Sequence, residues 1–438
     1  MMHSSKDAIQ MGIGMIHQHF MLAGDLTVAE NIALGMPPKG KFLWRASDLA
    51  NRVEPLLDSL NMSMDLNAKV NTLTVGEKQR VEIIKTLYRG AKIIIMDEPT
   101  ATLTPMEVEE LFNTIRMLTK QDYTVIFITH KIREVMRIAD HVTALRMGET
   151  VRTARICDVT EQDIAHMMIG RDLRGLTRKE KRLGDAALEV ENVDVLKSRK
   201  RKAVKDLSFS LRCGEILGIA GVEGNGQSEL AEALNGIRPI SRGSLKILGK
   251  TATHLTTGEC LSLGVGYIPS DRIKEGLALR MSVMENLIVG VHRAKPVRKR
   301  GILNWATARA CAEEIIEKFE IKTPDGSEPV GNLSGGNMQK TILGRELNRK
   351  PTLVIACQPT RGVDIGSTEH IHNLLMDVRD NGGAVLLISS ELDEIMELSD
   401  RVMVMYEGES MGILNADEIS ESKLGSMMFG SHKEEAKE

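Results

Sequence analysis

Short, uninterrupted apolar runs punctuate the chain, separated by longer stretches in which apolar residues recur every three or four positions. Residues 92–98 (KIIIMDE), 125–130 (VIFITH), 215–220 (EILGIA), 352–358 (TLVIACQ) and 384–390 (AVLLISS) are runs of the first kind. Their length and lack of alternation predict strands covered on both faces, as in a parallel sheet. Residues 106–120, 228–236, 306–320, 337–348 and 368–381 carry the helical period instead. Strand and helix alternate, so the predicted fold class is α/β, built from βαβ units with parallel-sheet cores. A helical segment leads into residues 333–337.

The pattern occurs twice. LTVGEKQR (73–80) answers to LSGGNMQK (333–340), IIIMDEPT (93–100) to LVIACQPT (353–360), and residues 126–142 to residues 386–402, all at an offset of 260. A register held over three segments marks an internal repeat. With 438 residues and 42% hydrophobic content, the chain is long enough for two cores. The expected organisation is a first copy over 1–170, a polar linker over 171–185, a second copy over 186–431 and a disordered tail over 432–438.

Composition narrows the class. A net charge of −3 gives no global basic field for nucleic acid, and the basic residues of 171–184 and 197–202 read as a solvated linker and a hairpin tip. The five cysteines form no C-x-x-C pair, which argues against a zinc site or a disulfide framework and fits a reducing cytosol. No apolar run approaches the ~18 residues that span a bilayer. Any membrane role therefore comes through partners.

Candidate chemistry gathers at the repeated segments. Residues 221–228 (GVEGNGQS) have phosphate-turn spacing between an apolar run and a helical stretch. Gly221, Gly224 and Gly226 permit a tight turn whose amides, with Asn225 and the helix opening at Ser228 and Glu229, can surround phosphates. Gln227 stands where the pattern places a lysine, so the cation is absent. A turn that binds nothing is the plainer alternative to ATP held without turnover. Asp97 and Glu98 close an apolar run: one carboxylate can hold Mg²⁺ while its neighbour polarises a water, or the pair can merely cap the next helix. The second copy has Cys357 and Gln358 there; neither binds Mg²⁺ well, and glutamine is no base. His130 could donate to a phosphate oxygen, or be structural; its counterpart is Ser390. Gln18 could ligate Mg²⁺ and sense the terminal phosphate, and aligns with Ser270. Leu333, Ser334, Gly335, Gly336 and Asn337 form a turn before a helical stretch, offering a hydroxyl, amides and a positive helix end to an anion, or an ordinary N-cap. The matching Thr74, Val75, Gly76 and Glu77 place a valine where close backbone approach wants glycine.

Together these residues resemble the ATP-binding cassette family over nearly the whole chain outside the linker and tail. The resemblance implies two P-loop NTPase-type cassettes, each a parallel-sheet core with a helical signature subdomain, using ATP and Mg²⁺. In that family cassettes pack head to tail, each ATP lying between the phosphate loop of one and the signature of the other. Gln18 (catalytic and Mg²⁺), Asp97 (Mg²⁺), Glu98 and His130 (catalytic) would then work with the signature at 333–337 and the D-loop Asp364 as one hydrolytic site. Gln227, Cys357, Gln358, Ser390 and Ser270 would work with Thr74, Val75, Gly76, Glu77 and the D-loop residue Thr104 as one degenerate, ATP-holding site. Random decay would not sort the deviant parts so cleanly.

The strings at 15–35, 96–105, 221–230 and 357–366 are similar to double-cassette ATPases of bacterial simple-sugar and nucleoside importers, HQHFML and GNGQSE leaning to the nucleoside branch. That implies two integral-membrane permease subunits, indirectly a substrate-binding protein, no nucleic acid, and a place on the cytoplasmic face of the bacterial plasma membrane. Two departures stand out. Ser270 replaces a more usual acidic residue, and no aromatic occurs over 188–206, where the family stacks a ring on adenine.

Gln18 and Ser270 lie 252 residues apart, and projecting the phosphate turn back by that spacing places the first copy's turn about thirty residues before Met1. The expectation is a truncated first cassette lacking its N-terminal phosphate-turn part, with little activity from the chain alone. The competing readings are a soluble twin-cassette protein acting on ribosomes or nucleic acid, and a non-hydrolysing remnant. The first would be expected to keep both sites intact, carry a long charged linker and often be basic; one degenerate site, a short linker and the slight negative charge argue for the importer.

Overall fold

The apolar runs become the central strands of two separate bodies. In the computed structural model, the described residues are 4–18, 20–35, 46–60, 62–100, 103–146, 148–170, 183–198, 201–222, 224–292, 297–299 and 302–428. They divide into unit 1, Met1–Leu173, and unit 2, Arg174–Glu438. The division falls inside the expected linker, whose residues 171–182 lie outside the described residues, as does the tail. Gly184 and Asp185, assigned to the linker from sequence, already pair with Cys213 through backbone hydrogen bonds of 2.9 Å. The backbone pairing of the second copy thus extends ahead of residue 186.

Unit 1 holds strands β1 (Ile13–Ile16), β2 (Ile93–Asp97) and β3 (Thr124–Ile128) in a parallel sheet of that order, and an antiparallel pair, β4 (His141–Arg146) and β5 (Glu149–Arg155). The helix Pro105–Lys120 starts on a Thr104–Glu107 capping box with proline in its first turn. Its Leu111, Phe112, Ile115 and Leu118 form the buried stripe that packs with Ile94 and Met96 of β2.

Unit 2 contains β6 (Ala186–Ser198), β7 (Arg201–Arg212), β8 (Ile216–Ala220), β9 (Ile240–Ile247), β10 (Lys250–Thr251), β11 (Val265–Ile268), β12 (Arg298–Lys299), β13 (Ile302–Leu303), β14 (Leu353–Cys357), β15 (Ala384–Ser389), β16 (Arg401–Tyr406) and β17 (Glu409–Asn415). Its main sheet runs β11-β14-β15-β8-β16-β17, parallel up to β16, with β17 antiparallel at the edge. Alternate residues feed two cores: Leu353, Ile355, Leu386 and Ile388 on one face, Val354, Ala356, Val385 and Leu387 on the other. That explains why these strands read as unbroken apolar runs. Of the four-stranded antiparallel sheet β10-β9-β6-β7, the sequence reading anticipated only the hairpin tip at 197–202, which joins β6 to β7; the repeated register shifts between β6 and its neighbours blur the alternation of the rest.

The repeat shows one local contrast. In unit 2, β8 lies between β15 and β16, and Leu386 and Ile388 are 0% and 3% exposed. Their unit 1 counterparts on β3, Ile126 and Ile128, are 48% and 45% exposed. Among the described residues, no helix is long and apolar enough to cross a membrane.

Candidate active site and its counterpart

β2 delivers Asp97 and Glu98 at its end. Glu98 takes a left-handed backbone (φ 44°), its N–H bonded to the Ile128 carbonyl of β3 at 2.9 Å. A non-glycine residue held there is strained, and such strain gathers at functional positions. The turn aims the Glu98 carboxylate at two of the other sequence candidates. Gln18 Nε2 donates to Oε2 at 2.6 Å, and His130 Nδ1 lies 2.9 Å from Oε1. An ionised carboxylate only accepts, so Nδ1 carries a proton. The hydrogen bond from His130 holds the Glu98 carboxyl below the usual carboxylate range; partial burial opposes this, while the His130 and Lys131 charges reinforce it. Gln18, Glu98 and His130, spread over 112 residues of sequence, form one connected cluster with Asp97 adjoining it. Behind it, the buried Glu134 accepts from Thr100 Oγ1 at 2.8 Å and Thr129 Oγ1 at 3.2 Å, fixing the loops on both sides.

The second copy repeats the geometry with other chemistry. Gln358 has the same left-handed turn (φ 47°), its N–H on the Ile388 carbonyl at 2.7 Å. Its Oε1 accepts from Ser390 N at 3.3 Å and Ser390 Oγ at 3.2 Å. The backbone device is intact, but what it presents is a neutral amide. Burial, with Glu275 and Glu232 adding to it, drives the Cys357 thiol far up, so it stays protonated.

The two signature turns differ as sharply. In unit 1, Thr74 and Glu77 satisfy each other in a capping box, and the Gly76 N–H donates to Glu107 Oε1 at 3.0 Å. Glu107 Oε2 also accepts from Thr104 N and Oγ1. Two carboxylates thus already cover the positive end of the helix Val75–Tyr88, which disfavours a further anion. In unit 2, the helix Gly335–Leu347 begins behind Ser334, whose side chain makes no cap bond and accepts from Asn337 Nδ2 at 2.9 Å. The counterpart of Glu107 is Ser367, a hydroxyl bonded to Asp364 Oδ2 at 2.8 Å; a Cβ on Gly336 would lie 2.8 Å from it. Glycine is required there, since the Asp364 carboxylate, 3.1 Å from that Cβ, also stands against it.

The phosphate turn is pressed against neighbouring backbone. Gly224 and Gly226 have φ of 94° and 100°, and a Cβ on Gly226 would lie 2.2 Å from the Ala203 carbonyl of β7. Asn225 pins the turn to the β16–β17 hairpin by accepting from Gly408 N and Glu407 N. Gln227 is buried, and its Nε2 donates to the turn's own Val222 carbonyl at 3.3 Å. Glu229 adds a negative charge in the first turn of the helix Gln227–Leu234, partly offset by Lys197 at 3.5 Å. What the helix opening presents at the lysine position of the pattern is thus a buried amide rather than a cation.

The profile of the ABC transporter family matches residues 2–101 and 204–361, more than half of the chain. The chain belongs to the ABC transporter family. This ABC chain is 42% identical over 435 residues to the guanosine import ATP-binding protein NupO of Bacillus subtilis, spanning 99% of the chain and 85% of that protein. It is 40% identical over 430 residues to the nucleoside import ATP-binding protein NupA of Lactococcus lactis subsp. cremoris, with 98% and 85% covered. It is also 40% identical over 458 residues to the glucose import ATP-binding protein TsgD13 of Haloferax volcanii, covering 98% and 83%. The two ABC cassettes account for the internal repeat. Sequence reasoning missed three residues around them: Glu107 over the first signature turn, and Glu134 with its counterpart Glu394 behind the strand ends. The signal for Glu134 and Glu394 was present, since the two carboxylates keep the repeat offset of 260.

Proposed function

We propose that the chain is the ATP-binding, ATP-hydrolysing subunit of an importer for nucleosides or simple sugars. It would act with two integral-membrane permeases at the cytoplasmic face of the bacterial plasma membrane, a substrate-binding protein delivering the solute. The names of the relatives support the solute class. The observation that carries the reading is the contrast between Glu98, gripped by Gln18 and His130, and Gln358, gripped by Ser390. Glu98 activates the attacking water, and His130 orients it through Nδ1. Each Glu98 oxygen accepts one bond, from Gln18 and His130 respectively, and each keeps a lone pair that a water can address. Asp97 and the Gln18 amide oxygen suit Mg²⁺, a hard cation that takes one or two protein oxygens beside water and substrate phosphates; when bound, it supplies charge neutralisation at those phosphates.

In the same reading, Leu333, Ser334, Gly335, Gly336 and Asn337 with Asp364 serve hydrolysis. Gln227, Gln358, Ser390 and Ser270, with the Thr74–Glu77 capping box, serve ATP held without turnover. The phosphate turn at 221–228 belongs to the second copy and carries Gln227. The test is the native gene product reconstituted with its permeases in proteoliposomes. Turnover stimulated by a nucleoside- or sugar-loaded binding protein is expected. Association and turnover with ribosomes, and none with the permeases, would overthrow the reading.

A further inference from the structure

The segment after Ser270 takes no part in the chemistry above, yet it is closely built. Asp271 caps a single π-type turn, Arg272–Gly276: its Oδ1 accepts from Ile273 N at 3.0 Å and Lys274 N at 2.9 Å, and its carbonyl from Glu275 N and Gly276 N. Isolated π turns of this kind recur at functional sites. The pinned turn sends the Arg272 side chain toward the loop that leads to Asp364. Nη1 donates to the Arg361 carbonyl at 2.6 Å and Nη2 to the Gly362 carbonyl at 3.2 Å. The same guanidinium lies over the signature turn, because a Cβ on Gly335 would come within 2.7 Å of Nη2 and 3.2 Å of Cζ. The far end of the turn abuts the helix Gly335–Leu347, with Arg345 Nη1 on the Gly276 carbonyl at 2.9 Å. A Cβ on Gly276 would meet Ile342 Cδ1 at 2.5 Å.

The first copy supplies an internal control. At the spacing that aligns Gln18 with Ser270, the counterpart of Arg272 is Phe20, and the counterpart of Gly335 is Val75. A valine Cβ would need the volume that the guanidinium fills, so the two differences belong together. The cassette with the arginine has the glycine, and a signature turn whose Ser334 makes no side-chain cap bond. The cassette without it has the valine, and the turn covered by Glu77 and Glu107.

We infer that Arg272 is a positioning residue that clamps the signature turn at 334–336 to the loop at 361–364, fixing both in the geometry hydrolysis uses. A planar, permanently charged fork suits the task, because it bonds two successive carbonyls and fills the space that a Cβ on Gly335 would take. The inference deepens the reading of Ser334 as part of the hydrolytic machinery and rests on it for its functional consequence; the clamp itself stands on the contacts alone.

The test begins with amide hydrogen exchange on the full 438-residue chain, comparing Arg272→Met and Arg272→Lys with the parent. Losing two charge-assisted hydrogen bonds should raise exchange at 334–337 and 362–364 by about tenfold or more in the methionine variant. β14 and β15 should be unchanged, and lysine, which reaches one carbonyl, should fall between. Gly335→Val should destabilise the parent more than the Arg272→Met background, since only the parent has a guanidinium to displace. In the native gene product assembled with its permeases, Arg272→Met should lower kcat and leave KM for ATP nearly unchanged, with partial rescue by lysine. Unchanged exchange, exchange raised uniformly across unit 2, or equal costs of Gly335→Val in both backgrounds would overturn the clamp. Should the methionine variant fail to fold, the lysine variant carries the same comparison. Local exchange that responds while no version hydrolyses ATP would sink the hydrolytic reading and leave the clamp standing.

Discussion

His372 should make the stability of unit 2 depend on pH in the alkaline range. It sits on the helix Ile365–Asp380 with its side chain 6% exposed, Nε2 3.2 Å from Glu394 Oε1 and Nδ1 3.3 Å from Glu397 Oε2. Burial alone would discharge the ring, but the hydrogen bonds and charges of Glu394 and Glu397 outweigh it and raise the pKa to about 9. Glu394 also accepts from Thr360 Oγ1 at 2.8 Å, so the charged ring braces the loop that follows Gln358. A folded-state value above the unfolded one gives a contribution fully present below pH ~6.5 and lost as pH rises through about 9. A gap of about 2.5 units at ~1.4 kcal/mol each amounts to about 3 kcal/mol. The assay is urea unfolding at pH 6 and pH 9.5, followed by Trp305 in a Trp44→Phe background, with and without His372→Gln. Thiols such as Cys260 and Cys357, whose pKa values burial raises, stay protonated in the fold and ionise toward the upper end of this range only on unfolding, but they are common to both proteins and cancel in the difference. The stability advantage of histidine over glutamine should shrink by about 3 kcal/mol between the two pH values. Parallel pH profiles would refute the argument.

Three further outcomes follow from the same contacts. Ser334→Arg should abolish ATP turnover in the assembled native protein while Thr74→Arg is far milder, because the first turn is already covered by Glu77 and Glu107; steady-state ATPase assays of the pair check this. His130→Ala removes the hydrogen bond that chiefly depresses the Glu98 carboxyl, so the acid limb of the pH–rate profile should move to higher pH. Ile126→Thr with Ile128→Thr should raise the soluble yield of the 438-residue chain without lowering its thermal midpoint, because both residues stand exposed on β3.

What was legible in the sequence was local. The strands ending in Asp97–Glu98 and Cys357–Gln358, and the turns before the helices Val75–Tyr88 and Gly335–Leu347, are short-range patterns of apolar runs and turn residues. The repeat offset then paired Glu98 with Gln358 and His130 with Ser390 as counterparts; within unit 1 His130 stands beside Glu98, and within unit 2 Ser390 stands beside Gln358. What escaped notice depends on contacts that no local pattern encodes. Glu107 reaches Gly76 across 31 residues, and Arg272 reaches Arg361 across 89. Beyond its hairpin tip, the β10-β9-β6-β7 sheet escaped because bulges break the alternation that identifies an antiparallel strand. The left-handed turns at Glu98 and Gln358 also leave no mark in composition, since glycine would be the usual sign of such a backbone.

The central claim, one hydrolytic and one holding site, is tested most directly by substituting the two equivalent strand-end residues in the native protein assembled with its permeases. Glu98→Gln leaves the left-handed turn and gives it the amide that Gln358 already presents, so it should cut ATP turnover by ~10²–10⁴-fold while nucleotide stays bound. Gln358→Ala should alter turnover far less. Equal losses from the two substitutions, or turnover that survives Glu98→Gln, would contradict the assignment.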